Sequence, residues 1–369
     1  MATLFLHIGH GKTGTSWIQA CLRLNRESLA KHGIIYAYGE DWLNDNPNAI
    51  TSGNAVNLFE SKEHFESQLA KNQLKLGEAL LFTSESIFKF FTKSNAIDYL
   101  EEVAAKYGFD TIQLLFFIRN PIERAVSVMQ QRVKRRGVHD ISLNNLHEHP
   151  EIGWDIIFQV EHLLNRLKKC KNVTLTIRNY SICSDRLIDE VAGWLDLPVD
   201  VFSFQPVDHI NRSLTWSEHF FQLSLNKILG PSGRFFSDPL CERLPDIIPK
   251  KLLPPIEVQE SIWLVLRETI ERVNLQIPEK HRYQCDIRKP DPIPETLTFS
   301  RMQIEVIAES LGNEIVILRN HIENAKKNIS TLSDENMALK TRLKNPFNGM
   351  SRLALLKQIL NYFTKTKSS

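Results

Sequence analysis

Four short apolar runs recur along the first half of the chain: TLFLHIG at 3–9, ALLFTSE at 79–85, IQLLFFIR at 112–119 and NVTLTIR at 172–178. Runs this apolar at successive positions suit strands that are buried on both faces. Between them lie TSWIQACLRLNRESLAKHG at 15–33 and PIERAVSVMQQRVKRRG at 121–137, which carry apolar residues at helical spacing and each close on a glycine. Strands alternating with helices predict an α/β fold, a parallel sheet with helices on both faces. In such sheets a ligand sits beyond the carboxyl ends of the strands, so the residues following each run are the functional candidates.

Composition narrows the partners. Lys and Arg total 45 against 43 Asp and Glu, a net charge of +2 that supplies no overall field for nucleic acid or an anionic membrane. Anion recognition must then be local. The five cysteines are odd in number and lack CxxC spacing, which predicts reduced, mostly buried thiols and neither a disulfide framework nor a zinc site. The chain opens directly into a strand, and no stretch of about 18 uncharged apolar residues occurs, so a cytoplasmic protein without a transmembrane segment is expected.

The pattern changes near KPDPIPETL at 289–297, where three prolines fall within five residues. This predicts a first domain over 1–289, a Pro-rich linker over 290–300, a coiled coil over 301–345 and an amphipathic or disordered tail over 346–369. The heptads place Ala308, Ile315, Ile322, Ile329, Asn336 and Leu343 at one seam position, and Ile304, Leu311, Leu318, Ala325, Leu332 and Leu339 at the other. β-branched residues at the first position, leucines at the second and a lone asparagine at Asn336 predict a parallel homodimer.

The loop after the first run reads GHGKTGTS at 9–16. Its glycines let backbone amides approach a ligand, its hydroxyls donate, Lys12 is cationic, and a helix N-terminus follows, all of which suit a tetrahedral anion. A Walker A loop places its lysine after the second glycine, whereas here Lys12 precedes Gly14, so the common nucleotide-phosphate pattern fails.

With its lysine in this order, GKTGTSW at 11–17 resembles the 5′-phosphosulfate loop of sulfotransferases that use 3′-phosphoadenosine 5′-phosphosulfate, written P-K-[ST]-G-T-[TS]-W, with Gly11 in place of the proline. That family binds its 3′-phosphate with an arginine at a central strand end and a serine eight residues later, and FFIRNPIERAVSVMQ supplies Arg119 and Ser127 at that separation. The resemblance implies a P-loop NTPase-like parallel sheet, with Gly11, Lys12, Thr13, Gly14, Thr15 and Ser16 around the phosphosulfate, Trp17 against the adenine, and Arg119 with Ser127 on the 3′-phosphate. It also implies sulfuryl transfer without a metal, with Lys12 offsetting charge on the leaving oxygen. Where the family's second strand ends in K-T-H with a histidine base, this chain has Thr83-Ser84-Glu85, making Glu85 the candidate base. Glu85 also reads as a simple helix-start carboxylate, and His7 and His10 are rival bases.

Weaker signals are TSGNAVNLF at 51–59 as an acceptor loop, Arg212 in NRSLTW as an anion ligand, and VKRRG at 133–137 as either a guide for an acidic acceptor or a solvated helix end. The resemblance favours a carbohydrate, glycolipid or other small hydroxyl or amine acceptor over a phenol or peptide tyrosine. Two other readings are an inactive nucleotide-binding scaffold acting through its coiled coil and a P-loop kinase-like phosphotransferase.

Overall fold

The computed structural model describes residues 2–38, 52–72, 74–205, 212–344 and 351–365. Among these, five strands form one sheet: β1 (Ala2–Gly9), β2 (Ile34–Tyr36), β3 (Ala79–Ser84), β4 (Phe109–Ile118) and β5 (Val173–Asn179). Their order is β2-β3-β1-β4-β5 and every pairing is parallel. The helices are α1 (Thr15–Leu24), α2 (Arg26–Lys31), α3 (Lys62–Lys71), α4 (Glu85–Lys93), α5 (Ala96–Lys106), α6 (Pro121–Arg136), α7 (Ile156–Leu167), α8 (Tyr180–Cys183), α9 (Leu187–Leu195), α10 (Trp216–Leu229), α11 (Ser237–Arg243), α12 (Ile256–Asn274), α13 (Arg301–Lys344) and α14 (Arg352–Lys365).

Period-two alternation sorts each central strand between two cores. Leu4, Leu6 and Ile8 of β1 join Leu80, Phe82, Leu114 and Phe116 beneath α4 to α7 and α12. Phe5 lies on the opposite face with Leu81, Leu115 and Phe117, covered by α1, α2 and α9. Both faces of β1, β3 and β4 are therefore shielded, as the unbroken apolar runs require.

Two expectations need correction. The helical pattern at 15–33 splits at Asn25, whose side chain donates to Cys21 O and to Phe204 O, drawing the chain out of line between α1 and α2. The end of α6 is packed inward: Val133 and Lys134 are buried, and Gly137 (φ 67°) closes the helix where an added Cβ would lie 2.3 Å from Gly230 C. The expected solvated basic turn is thus split: Lys134 is packed inward, whereas Arg135 and Arg136 stay exposed at the helix end.

The chain divides into two compact units, Met1–Ile307 and Ala308–Ser369. In the first, residues beyond the prolines rejoin the fold: Thr298 N donates to Ser217 Oγ, and Val306 is buried with Phe236, Leu240 and Leu244. In the second, α13 continues as a helix whose Ile315, Leu318, Ile322, Ile329, Leu332 and Leu339 are exposed. No helix among the described residues is long and apolar enough to cross a membrane.

At the β3 end, the segment after Thr51 is tied to the sheet; Thr51 itself lies outside the described residues. Buried Asn54 donates to Ala37 O and Leu81 O and accepts from Thr83 N at 2.8 Å, while Ser84 Oγ donates to Ser52 O. Asn54 is consequently a structural peg that fixes the strand end preceding Glu85. Asn54→Ala should cost roughly 2–4 kcal/mol, since three hydrogen bonds go and their backbone partners stay buried. Exposed Asn57→Ala should stay within about 0.5 kcal/mol, both read from denaturant midpoints.

Candidate active site

The central strands end side by side, Ile8 beside Ser84 and Gly9 beside Phe117, so the loop leaving β1 lies between the first residues after β3 and β4. Gly11, Lys12 and Gly14 all have left-handed backbone (φ 73°, 65° and 74°). Glycine adopts this freely, whereas at Lys12 it costs about 1–2 kcal/mol, so the turn must be held from outside. Arg119 does so, its Nη1 donating to Lys12 O at 2.7 Å. Gly14 is needed for space as well, because a Cβ there would lie 2.8 Å from the Tyr180 ring and 2.9 Å from Leu187 Cδ1. Gly14, itself left-handed, caps α1, whose N-terminus faces the same loop. The Thr13 hydroxyl is buried with no hydrogen-bond partner, a donor that suits a bound anion.

Lys12 is partly buried, which pushes its ammonium down to about 8; Glu85 opposes that shift, while Lys134, Arg135 and Arg119 reinforce it. The Glu85 carboxylate accepts from Thr15 Oγ1, and its other oxygen would be 3.2 Å from a Cβ on Gly11. Glu85 is the first residue of α4, with Ser84 as cap, so it is both a helix-start carboxylate and a neighbour of the anion loop. Glu85 is exposed, whereas the two histidines named as rival bases are buried. His7 is fully buried in β1, its Nδ1 2.7 Å from Thr83 Oγ1, and burial pushes it down to about 3. Burial likewise brings His10 to about 3, so both imidazoles stay neutral and hold a proton weakly.

At the end of β4, Arg119 lies over the Tyr180 ring, 5.1 Å from its centroid. Asn120 caps α6 by accepting from Ile122 N and Glu123 N, which sets Glu123 one turn beyond Arg119 at 3.6 Å. Arg119 and Ser127 line one small cavity of about 80 Å³ with Glu123, Lys250 and Lys251. Glu123 gathers the cations there: Lys251 Nζ lies 3.2 Å and Arg288 Nη2 3.7 Å from its Oε1, while Ser181 Oγ donates to Oε2 at 2.8 Å. Burial works against its ionisation, yet Arg119, Lys251 and the Ser181 hydroxyl hold the carboxyl below the usual range. Sequence reasoning missed Glu123, Lys251 and Tyr180. Only the acid four residues after Arg119 was visible as a helix pair, since the others arrive from distant segments.

The structure thus brings Gly11 to Ser16, Glu85, Arg119 and Ser127 to one end of the sheet. Trp17, in the first turn of α1, packs against the second core. Arg212 is elsewhere and must be corrected as an anion ligand: it is buried in a two-pronged pair with Glu218 at 2.8 and 2.9 Å, and also donates to Leu240 O and Leu244 O. Asn211 lies outside the described residues.

No family model matches the chain, and no curated protein does. Among solved structures it is similar to a sulfotransferase from Alicyclobacillus acidocaldarius, at 13% identity and TM-score 0.39 over 74% of this chain and 94% of that one. It is also similar to the sulfotransferase domain from the curacin biosynthetic pathway, at 11% identity and TM-score 0.29, over 57% and 77% respectively.

An anion in the loop requires Lys12 in its charged form. Because the free group titrates near 8, pyrophosphate affinity should hold below that pH and fall above it, by up to about tenfold per pH unit. Lys12→Arg should flatten the profile, as measured by calorimetry between pH 6.5 and 9.5.

Proposed function

We propose that this chain is a sulfotransferase that moves a sulfuryl group from 3′-phosphoadenosine 5′-phosphosulfate to a hydroxyl or amine by in-line displacement. The supporting observation is the joining of two anion-ready sites at neighbouring strand ends. The loop at 11–14 and the cavity beside Ser127 share Arg119, which bonds to the loop and borders the cavity. A nucleotide with phosphates on two sides of its ribose is the ligand such a pair fits. A single-phosphate site would leave Lys251 at the cavity with no partner beyond Glu123 among the described residues.

In this reading the amides of Gly11 to Ser16 and the Thr13 hydroxyl hold the 5′ group, and Arg119, Ser127 and Lys251 hold the 3′-phosphate. Lys12 offsets the charge that grows on the bridging oxygen as the S–O bond breaks. Glu85 takes the acceptor proton, and its place beside the loop sets the attacking oxygen near the sulfur. No metal is required, since Lys12 and the loop amides supply the positive field. The acceptor is a carbohydrate, glycolipid or other small hydroxyl compound. A homodimer through 301–345 forms part of the proposal, because the exposed seam of α13 carries the heptad leucines and isoleucines.

Calorimetry with adenosine 3′,5′-bisphosphate in the absence of magnesium should show binding, and ATP should bind more weakly. Arg119→Ala should weaken the bisphosphate by about 10- to 100-fold, as loss of a charged contact predicts. Lys12→Ala and Glu85→Gln should act mainly on turnover once an acceptor is found. A preference for magnesium-ATP would instead select the phosphotransferase reading, and binding without turnover on any acceptor the scaffold. For the dimer, sedimentation should show two chains per particle, reverting to one in Ile322→Lys.

A further inference from the structure

Arg124 has no role in the scheme above, yet it is a buried guanidinium set directly behind the anion loop. Its Nη2 donates to His10 O at 3.2 Å, its Nε lies 3.3 Å from His10 Nδ1, and its Nη1 donates to Gly153 O. No carboxylate among the described residues is bonded to it; Asp155 and Glu85 act on it only through their charge. His10 Nδ1 also lies 3.0 Å from Gly11 O, so the same imidazole nitrogen sits between the guanidinium and the next carbonyl of the loop. Space has been made for this fork, since a Cβ on Gly153 would overlap Nη1.

A trans peptide directs its C=O and the following N–H to opposite sides. Fixing His10 O toward α6 therefore turns the Gly11 N–H the other way, and Arg119 does the same for the Thr13 N–H through Lys12 O. Two arginines five residues apart thus hold alternate carbonyls of one loop. Resting on the anion-loop reading of residues 11–14, we propose that Arg124 is a positioning residue that presets the loop amides for the 5′ anion and touches no ligand itself. The left-handed backbone of Lys12 is then retained by bonds on either side of it. Gly153 belongs to the same device as the residue that leaves room for the guanidinium.

The test compares AMP, 3′-AMP and inorganic pyrophosphate by calorimetry on wild type, Arg124→Met, Arg124→Lys, Gly153→Ala and the Arg124→Met/Gly153→Ala double variant, with melting temperatures alongside. Arg124→Met should weaken AMP and pyrophosphate by about 10- to 100-fold while 3′-AMP stays within about twofold. Gly153→Ala should show the same selectivity, and the double variant should be no worse than Arg124→Met, because both changes break one set of bonds. Arg124→Lys should recover part of the loss. Equal loss for 3′-AMP, or unchanged AMP and pyrophosphate binding in a folded variant, would overturn the proposal. Should Arg124→Met not fold, Gly153→Ala and Arg124→Lys carry the comparison. A wild type that binds pyrophosphate but neither nucleotide would sink the nucleotide reading and leave this one to be decided on pyrophosphate. A wild type that ignores pyrophosphate as well would overturn both.

Discussion

The bond from Arg119 to the carbonyl of Lys12 is the contact on which the rest of this site depends. It spans two neighbouring parallel strands at their carboxyl ends, and it holds a lysine in a backbone conformation that L-residues avoid. The same guanidinium rests on Tyr180, whose ring also limits position 14 to glycine. Loop shape, helix cap and cation placement are therefore mutually dependent. Sheet topology makes this possible, because only the parallel order β3-β1-β4 brings the residues after three strands to one edge.

Around that contact the charges are arranged to be nearly self-sufficient. Glu123 stands among Arg119, Lys251 and Arg288, and Glu85 stands beside Lys12, so each cationic site has an internal carboxylate near it. Burial lowers the pKa of both Lys12, which has Glu85 near it, and Arg124, which has no bonded carboxylate among the described residues. The cationic frame is ordered within the fold itself, and its ordering entropy is spent during folding.

Much of this was legible in the sequence because it is local. Four of the five strands announce themselves as apolar runs, and Pro121 with Gly137 brackets α6 at either end. The loop residues and Arg119 stand directly after such runs. The three-residue strand β2 is too short for its period to register, and the break at Asn25 depends on Phe204, 179 positions away. Lys251, Arg288 and Tyr180 reach the site by chain folding alone, and no spacing rule connects them to Arg119. Arg212 misled for the opposite reason: its true partner Glu218 was close in sequence, but only the core around Leu240 and Leu244 shows that the pair is closed to ligands.

The start of the long helix α13 has a further consequence. Gln303 Nε2 donates to Glu218 at 2.7 Å, completing the hydrogen bonding of the buried Arg212 pair, and Val306 fills the small core against α11. The helix therefore begins as part of the first unit's interior and is exposed only farther on. A chain freed of its extension by limited proteolysis, or fused to a foreign coiled coil, has to keep the start of α13 through Ser310, the last buried residue of that helix among the described side chains.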